Sequence, residues 1–102
     1  MLKKDISIII AEDHPIMLKG LQQELVQAGY NVLATAGNGA SAIEAVTINH
    51  PDIALLDIEM PFLNGFEVVK RLKSLDLKTR YVIMSYHKEK GFIVQAKKVG
   101  VH

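Results

Sequence analysis

Two short acidic stretches, each at the end of an apolar run, hold the residue types best suited to chemistry. Glu12-Asp13 follows residues 6–11, and Asp57 follows residues 53–56. If the two runs are neighbouring strands, three carboxylates from two strand ends converge, and they stay ionised together only beside a cation. A hard, all-oxygen cluster with room for water suits Mg²⁺ better than zinc or copper. A metal held by a partial cage takes phosphate as its usual further ligand. An aspartate beside it can then attack phosphorus and form an acyl phosphate. Ser85 closes a third apolar run, residues 81–84, and its hydroxyl can donate to a phosphoryl oxygen. Backbone N–H groups in the loop after Asp57 add further donors.

The elements that must position these groups follow from hydrophobic pattern. Residues 53–56 are four consecutive apolar positions, which cannot present a polar face and so read as a strand covered on both sides. Asp57 then falls at the carboxyl end, where open α/β sheets bind ligands. Pro61 and Asn64-Gly65 punctuate the next loop, and Asn64 can cap a helix whose apolar face is Phe66, Val69 and Leu72. Residues 6–11 read as a first strand. Asp13 as N-cap and Pro15 in the first turn start a helix over 14–28, with Leu18, Leu21, Leu25 and Ala28 at helical spacing until Gly29. Residues 30–36 read as a strand, and Ser41-x-x-Glu44 as a capping box for a helix through Ile48 that ends at Asn49-His50-Pro51. Residues 81–84 give a fourth strand finishing at Ser85, and 88–99 a fourth helix closed by Gly100. Strands and helices alternate four times. The short connections predict right-handed crossovers and a parallel sheet between helices. A last strand over 81–84 would leave its edge bare, which predicts further polypeptide after His102.

Composition narrows the function. The chain has 102 residues, 49% hydrophobic and 23% charged, which is the profile of one soluble domain, 1–102. A net charge of +1 is too small for a dedicated nucleic-acid or anionic-membrane surface. No cysteine excludes a disulfide framework and thiolate metal sites and fits a cytoplasmic protein. The apolar run after Met1-Leu2-Lys3-Lys4-Asp5 is too short for a signal peptide, and no membrane span is expected. Glu12-Asp13-His14-Pro15 stands where a dinucleotide fold would need Gly-x-Gly-x-x-Gly. His14 has no second histidine at ligand spacing and reads as a first-turn polar residue. Met60, Phe62 and Phe66 read as loop and core packing.

In combination, Glu12-Asp13, then Asp57 followed by Met60-Pro61 and Asn64-Gly65, then Ser85, resemble the receiver domain of two-component response regulators. The resemblance implies a flavodoxin-like doubly wound parallel sheet, in which this chain supplies strand order 2-1-3-4 and lacks the fifth strand and helix. It implies that Asp57 takes a phosphoryl group from a sensor histidine kinase, and that Mg²⁺ is held by Glu12, Asp13, Asp57 and the backbone carbonyl of Glu59. It also implies that Ser85 is the switch hydroxyl, that Glu59, Tyr86 and His87 flank the site, and that Glu59 and His87 modulate access of water. The stretch Ala11-Glu12-Asp13-His14-Pro15 and the pair Tyr86-His87 look most like receivers of the NarL/LuxR subgroup. These precede a helix-turn-helix, so DNA contact would come only through a further C-terminal domain, with homodimerisation a further expectation. The family lysine has no counterpart expected in this chain, since Lys97 and Lys98 fall in the predicted fourth helix.

Two other readings stand beside this one. A truncated or degenerate receiver would act as an interaction or dimerisation module through the exposed edge of the fourth strand. A phosphohydrolase with Asp57 as nucleophile would resemble an Asp-x-Asp pattern, whereas Glu59 occupies the second position here, and it would need a cap domain. The receiver is expected to be no enzyme beyond its own phosphorylation and dephosphorylation at Asp57.

Overall fold

The computed structural model describes residues 2–87 and 93–99. After a 3-10 turn over Lys3–Asp5, strands β1 (Ser7–Ala11), β2 (Asn31–Ala36), β3 (Ile53–Asp57) and β4 (Arg80–His87) alternate with helices α1 (Pro15–Gln27), α2 (Gly39–Asn49) and α3 (Gly65–Lys73). A fifth strand, β5 (Ile93–Val99), follows. The sheet order is β2-β1-β3-β4-β5, so the expected parallel 2-1-3-4 arrangement is present.

Burial explains why the strands are apolar throughout. Ile9 and Ala11 of β1, Ala54 and Leu56 of β3, and Tyr81 and Ile83 of β4 share one cluster with Ala42 and Val46 of α2 and Val68, Val69 and Leu72 of α3. Successive strand residues point to opposite faces, so the alternate residues Ile8 and Ile10, also buried, lie toward the other side of the sheet. There α1 packs with Leu18, Leu21 and Leu25 only half-buried, and none of its residues is fully enclosed.

The caps depart from the sequence reading at two helices. At α1 the N-cap is His14 rather than Asp13, with no side-chain cap. Asp13 remains outside the helix because the backbone N–H of His14 is held by the Glu12 carboxylate at 2.9 Å. At α2 the cap is Asn38, whose side chain accepts from the Ser41 N–H at 2.8 Å, so the helix begins before the proposed Ser41-Glu44 box. Asn64 caps α3 as expected: its Oδ1 accepts from Glu67 N–H at 2.9 Å while the Glu67 carboxylate accepts from Asn64 N–H at 3.1 Å. The buried stripe of α3 is Gly65, Val68, Val69 and Leu72, spaced three or four apart. Phe66 stands outside that stripe and is 49% exposed, contrary to the expected face.

The largest departure concerns residues 88–99, where a helix was expected. Ile93–Val99 is a strand antiparallel to β4, from His87↔Ile93 to Tyr81↔Val99. Residues 88–92 and the expected stop at Gly100 lie outside the described residues. Two physical reasons favour the hairpin. A parallel return needs a crossover of a dozen or more residues, far more than separate β4 from β5. The pairing also satisfies the backbone groups that β4 would otherwise expose at its outer edge. Lys97 and Lys98 therefore lie on a strand, opposite Ile83 and Val82, and not on the expected fourth helix; this fifth strand is an antiparallel hairpin partner of β4 and not a further parallel strand. The reading in which the bare edge of the fourth strand mediates association loses its basis, because that edge is already paired.

Two substitutions test this framework by chemical denaturation. Asn64→Ala should cost about 1 kcal/mol, the loss of a helix cap. Gly65→Ala should cost about 1–3 kcal/mol through overpacking, because its Cβ would lie 2.7 Å from the Asp57 carbonyl oxygen, which belongs to the end of β3.

Candidate functional site

Parallel pairing of β1 with β3 sets Ala11 beside Leu56, so the residues that follow, Glu12 and Asp57, leave the sheet at the same level. Carboxylate oxygens of Glu12, Asp13 and Asp57 all lie within 4.8 Å of one another. Glu12 is fully buried and Asp57 is 3% exposed, whereas Asp13 is open to solvent. The three side chains singled out in the sequence therefore form one group, and no histidine belongs to it.

The two buried carboxylates each accept a backbone N–H. Glu12 donates its N–H to the Ala36 carbonyl at 2.9 Å, which continues the β1–β2 ladder past the strand end. Its Oε1 accepts from His14 N–H, which ties the side chain to the start of α1. Asp57 Oδ1 accepts from Glu59 N–H at 3.1 Å, and Ile58 N–H donates to the Met84 carbonyl at 2.8 Å. The Asp57 backbone is thus locked between β1 and β4. Its carboxyl is pushed up to about 8, first by burial and then by the adjacent Glu12 carboxyl; Asp13 adds a smaller push and the Glu59 N–H opposes them. Without a counter-ion the site holds its proton, which is what buried like charges do.

The donor set fits a hard divalent cation. It is all oxygen, two of its members are buried, and one faces solvent, so positions remain for water and for an anionic group. Ser85 lies on β4 one residue beyond Met84, the partner of Asp57, and is half-buried. It is inside the strand rather than at its end as expected, since β4 runs on to His87 to pair with β5. Tyr86 and His87 continue that strand opposite Val94 and Ile93, while their side chains lie outside the described residues. Glu59 is exposed on the loop after Asp57.

Two contacts escaped the sequence reading. Gly65 N–H donates to the Ile58 carbonyl at 3.3 Å, and its missing side chain lets α3 approach the back of Asp57. Gly39, at the start of α2, lies against Leu63 so closely that no Cβ fits between them. The signal for both was a glycine beside a cap residue, but neither neighbour could be named without the fold. Among the described residues, several clefts lie away from the acidic group. One, lined by Ile6, Asp52, Ile53, Lys78 and Arg80, is at the amino ends of the strands, opposite the acidic group.

Comparison with known proteins agrees with this geometry. The family model described as "Response regulator receiver domain" matches residues 8–102. The chain is 34% identical over 96 residues to the probable transcriptional regulatory protein NarL of Mycobacterium tuberculosis, covering 93% of this chain and 44% of that protein. It is 31% identical over 93 residues to the chemotaxis protein CheY of Bacillus subtilis, covering 91% of this chain and 78% of that one. The solved signal receiver domain of the putative response regulator NarL from Mycobacterium tuberculosis superposes with a TM-score of 0.76 at 34% identity, over 80% of this chain and 67% of that one. The chain spans less than half the length of the NarL relative and about four fifths of CheY. With the parallel 2-1-3-4 strands and the acids at their carboxyl ends, these matches place the chain in the family of response regulator receiver domains.

Proposed function

We propose that Asp57 is the phosphoacceptor of this receiver and takes its phosphoryl group from the phosphohistidine of a sensor histidine kinase. The observation that carries this reading is the convergence of Glu12, Asp13 and Asp57 within 4.8 Å at two adjacent strand ends. An Asp57 carboxylate oxygen attacks phosphorus, the phosphorus–nitrogen bond breaks, and its electron pair leaves with the imidazole. An acyl phosphate results. Glu12, Asp13, Asp57 and the backbone carbonyl of Glu59 are the groups to hold Mg²⁺, which when bound neutralises charge on the phosphoryl oxygens. Ser85, next to the residue that pairs with Asp57, is the hydroxyl to donate to the phosphoryl group. Glu59, Tyr86 and His87 flank the site, and Glu59 and His87 are the side chains to govern access of water and so the lifetime of the acyl phosphate.

The receiver's own chemistry is confined to gaining and losing that group at Asp57. In the whole protein, by analogy with the NarL relative, the phosphorylated form biases a C-terminal DNA-binding domain and its homodimerisation in the cytoplasm, and so controls transcription. Among the described residues no helix is long and apolar enough to cross a membrane.

Incubation with acetyl phosphate should add one phosphoryl group to the intact mass in the presence of Mg²⁺. Asp57→Asn should abolish the gain, and chelation by EDTA should reduce it at least about tenfold, since metal charge stabilisation is worth several kcal/mol. Unchanged labelling in Asp57→Asn would refute the assignment.

The raised Asp57 value also ties stability to pH. The folded state binds this proton more tightly than the unfolded state, so the contribution is complete below about pH 4 and is lost as pH rises through about 8. Metal-free protein should therefore lose on the order of a few kcal/mol between these limits, at about 1.4 kcal/mol per tenfold change in proton affinity. Mg²⁺ should stabilise more at pH 8 than at pH 5, and Asp57→Asn should flatten the pH dependence of the thermal midpoint. A midpoint equally pH-dependent in both proteins would contradict the electrostatic account.

A further inference from the structure

Asparagine followed by glycine occurs at Asn38-Gly39 and again at Asn64-Gly65. Such a pair can modify itself, because a glycine carries no side chain to keep its nitrogen from the asparagine Cγ. The glycine nitrogen bonds to Cγ, the Cγ–Nδ2 bond breaks, and ammonia leaves with the proton that the glycine nitrogen gives up. Water then opens the cyclic imide at either carbonyl. One opening leaves aspartate, the other isoaspartate, in which the main chain runs through the former side chain.

Both pairs stand at helix starts, Asn38 as the cap of α2 and Asn64 as the cap of α3. Burial does not separate them, since both asparagines are half-buried and both glycines enclosed. Backbone conformation does not either, with ψ of 171° at Asn38 and 174° at Asn64. Hydrogen bonding does. At Asn64, Oδ1 accepts from Glu67 N–H at 2.9 Å, the Asn64 N–H donates to the Glu67 carboxylate at 3.1 Å, and the Gly65 nitrogen that would attack donates to the Ile58 carbonyl at 3.3 Å. Of these three restraints Asn38 has one, acceptance from Ser41 N–H at 2.8 Å. Ser41 stands where α3 has Glu67 and returns no bond, and among the described residues nothing holds the Gly39 N–H. The reaction requires the side-chain amide to leave its cap and the backbone to rotate, so each further bond makes the reactive geometry rarer.

We propose that Asn38 is a site of spontaneous covalent modification, converted through the imide with Gly39 to aspartate and isoaspartate in the folded protein, while the reciprocal cap protects Asn64. The two products differ in effect. Aspartate caps a helix as well as asparagine does, and its charge suits a helix start. Isoaspartate adds a methylene to the backbone beside Gly39, which lies against Leu63 with no room for a Cβ. Leu63 belongs to the loop between Asp57 and α3, so this product loosens α2 from the loop that follows the acidic group.

The test keeps the whole chain folded in mildly alkaline buffer at physiological temperature, beside the same chain unfolded in urea. Proteolytic peptides containing residues 38 and 64 are quantified by mass, and isoaspartate is distinguished from aspartate with an isoaspartyl methyltransferase. The two asparagines should convert at similar rates in urea. In the folded chain Asn38 should convert faster than Asn64 by about fivefold or more, the factor expected of one or two hydrogen bonds. Glu67→Ala, which removes the return bond, should raise the rate at Asn64 alone. The isolated isoaspartyl chain should melt below both the fresh protein and Asn38→Asp, which stands for the other product. A folded-state rate at Asn38 no greater than at Asn64, no conversion of Asn38 while the urea sample converts, an Asn64 rate indifferent to Glu67→Ala, or equal midpoints for the three proteins would overturn the proposal.

Discussion

Repulsion among three carboxylates is the constraint on which the carboxyl end of this sheet depends. Glu12 and Asp57 are buried on adjacent strands whose apolar residues, from Ile9 and Ile10 to Leu56, are almost wholly enclosed. A platform packed this closely does not let the acids move apart. The backbone meets part of the demand by turning N–H groups of His14 and Glu59 toward them. The rest is met by a proton or a cation. Either one relieves the repulsion between buried like charges.

The surrounding loops are organised to keep that constraint in place. The reciprocal cap between Asn64 and Glu67 sets where α3 begins, and the bare α-carbon of Gly65 lets its first turn reach the carbonyl of Asp57. At the opposite end of β3, Asp52 accepts from both the N–H and the hydroxyl of Ser7, while Ser7 Oγ accepts from Asp52 N–H. This clamp joins the starts of β1 and β3 and so helps fix their register. Register in turn decides whether Glu12 and Asp57 emerge side by side, because a shift of one residue would send alternate side chains to the opposite face.

Much of this was legible before any coordinates. The unbroken apolar runs before Glu12 and Asp57 can only be strands covered on both faces, and alternation with helices leaves a parallel sheet as the way to cover them. Asn64 was readable as a cap because its side chain acts within three residues of itself. Asp13 and Ser41 were misplaced as caps for a related reason. Several polar residues stand near each helix start, and the backbone conformation that selects one is set by neighbours from other elements, such as the Glu12 carboxylate that holds the His14 N–H. The segment around Ile93–Val99 shows the same limit more strongly, since its β-branched residues and lysines suit a helix or a strand about equally well.

The sequence by itself determined which residues are apolar enough to make the strands and which carboxylates stand at their ends, and so the chemistry the chain can attempt. Those properties are local, encoded in side-chain type and a period of two or 3.6. Tertiary structure alone decided that Glu12, Asp13 and Asp57 meet within 4.8 Å, that burial and the Glu12 carboxyl push the Asp57 carboxyl up, and that Phe62 is carried outward on a turn with positive φ. It also decided that Ile93–Val99 pairs with β4. These depend on contacts between residues far apart in the chain, on the desolvation those contacts impose, and on backbone hydrogen bonds that an unpaired strand edge cannot leave unmade in a folded sheet.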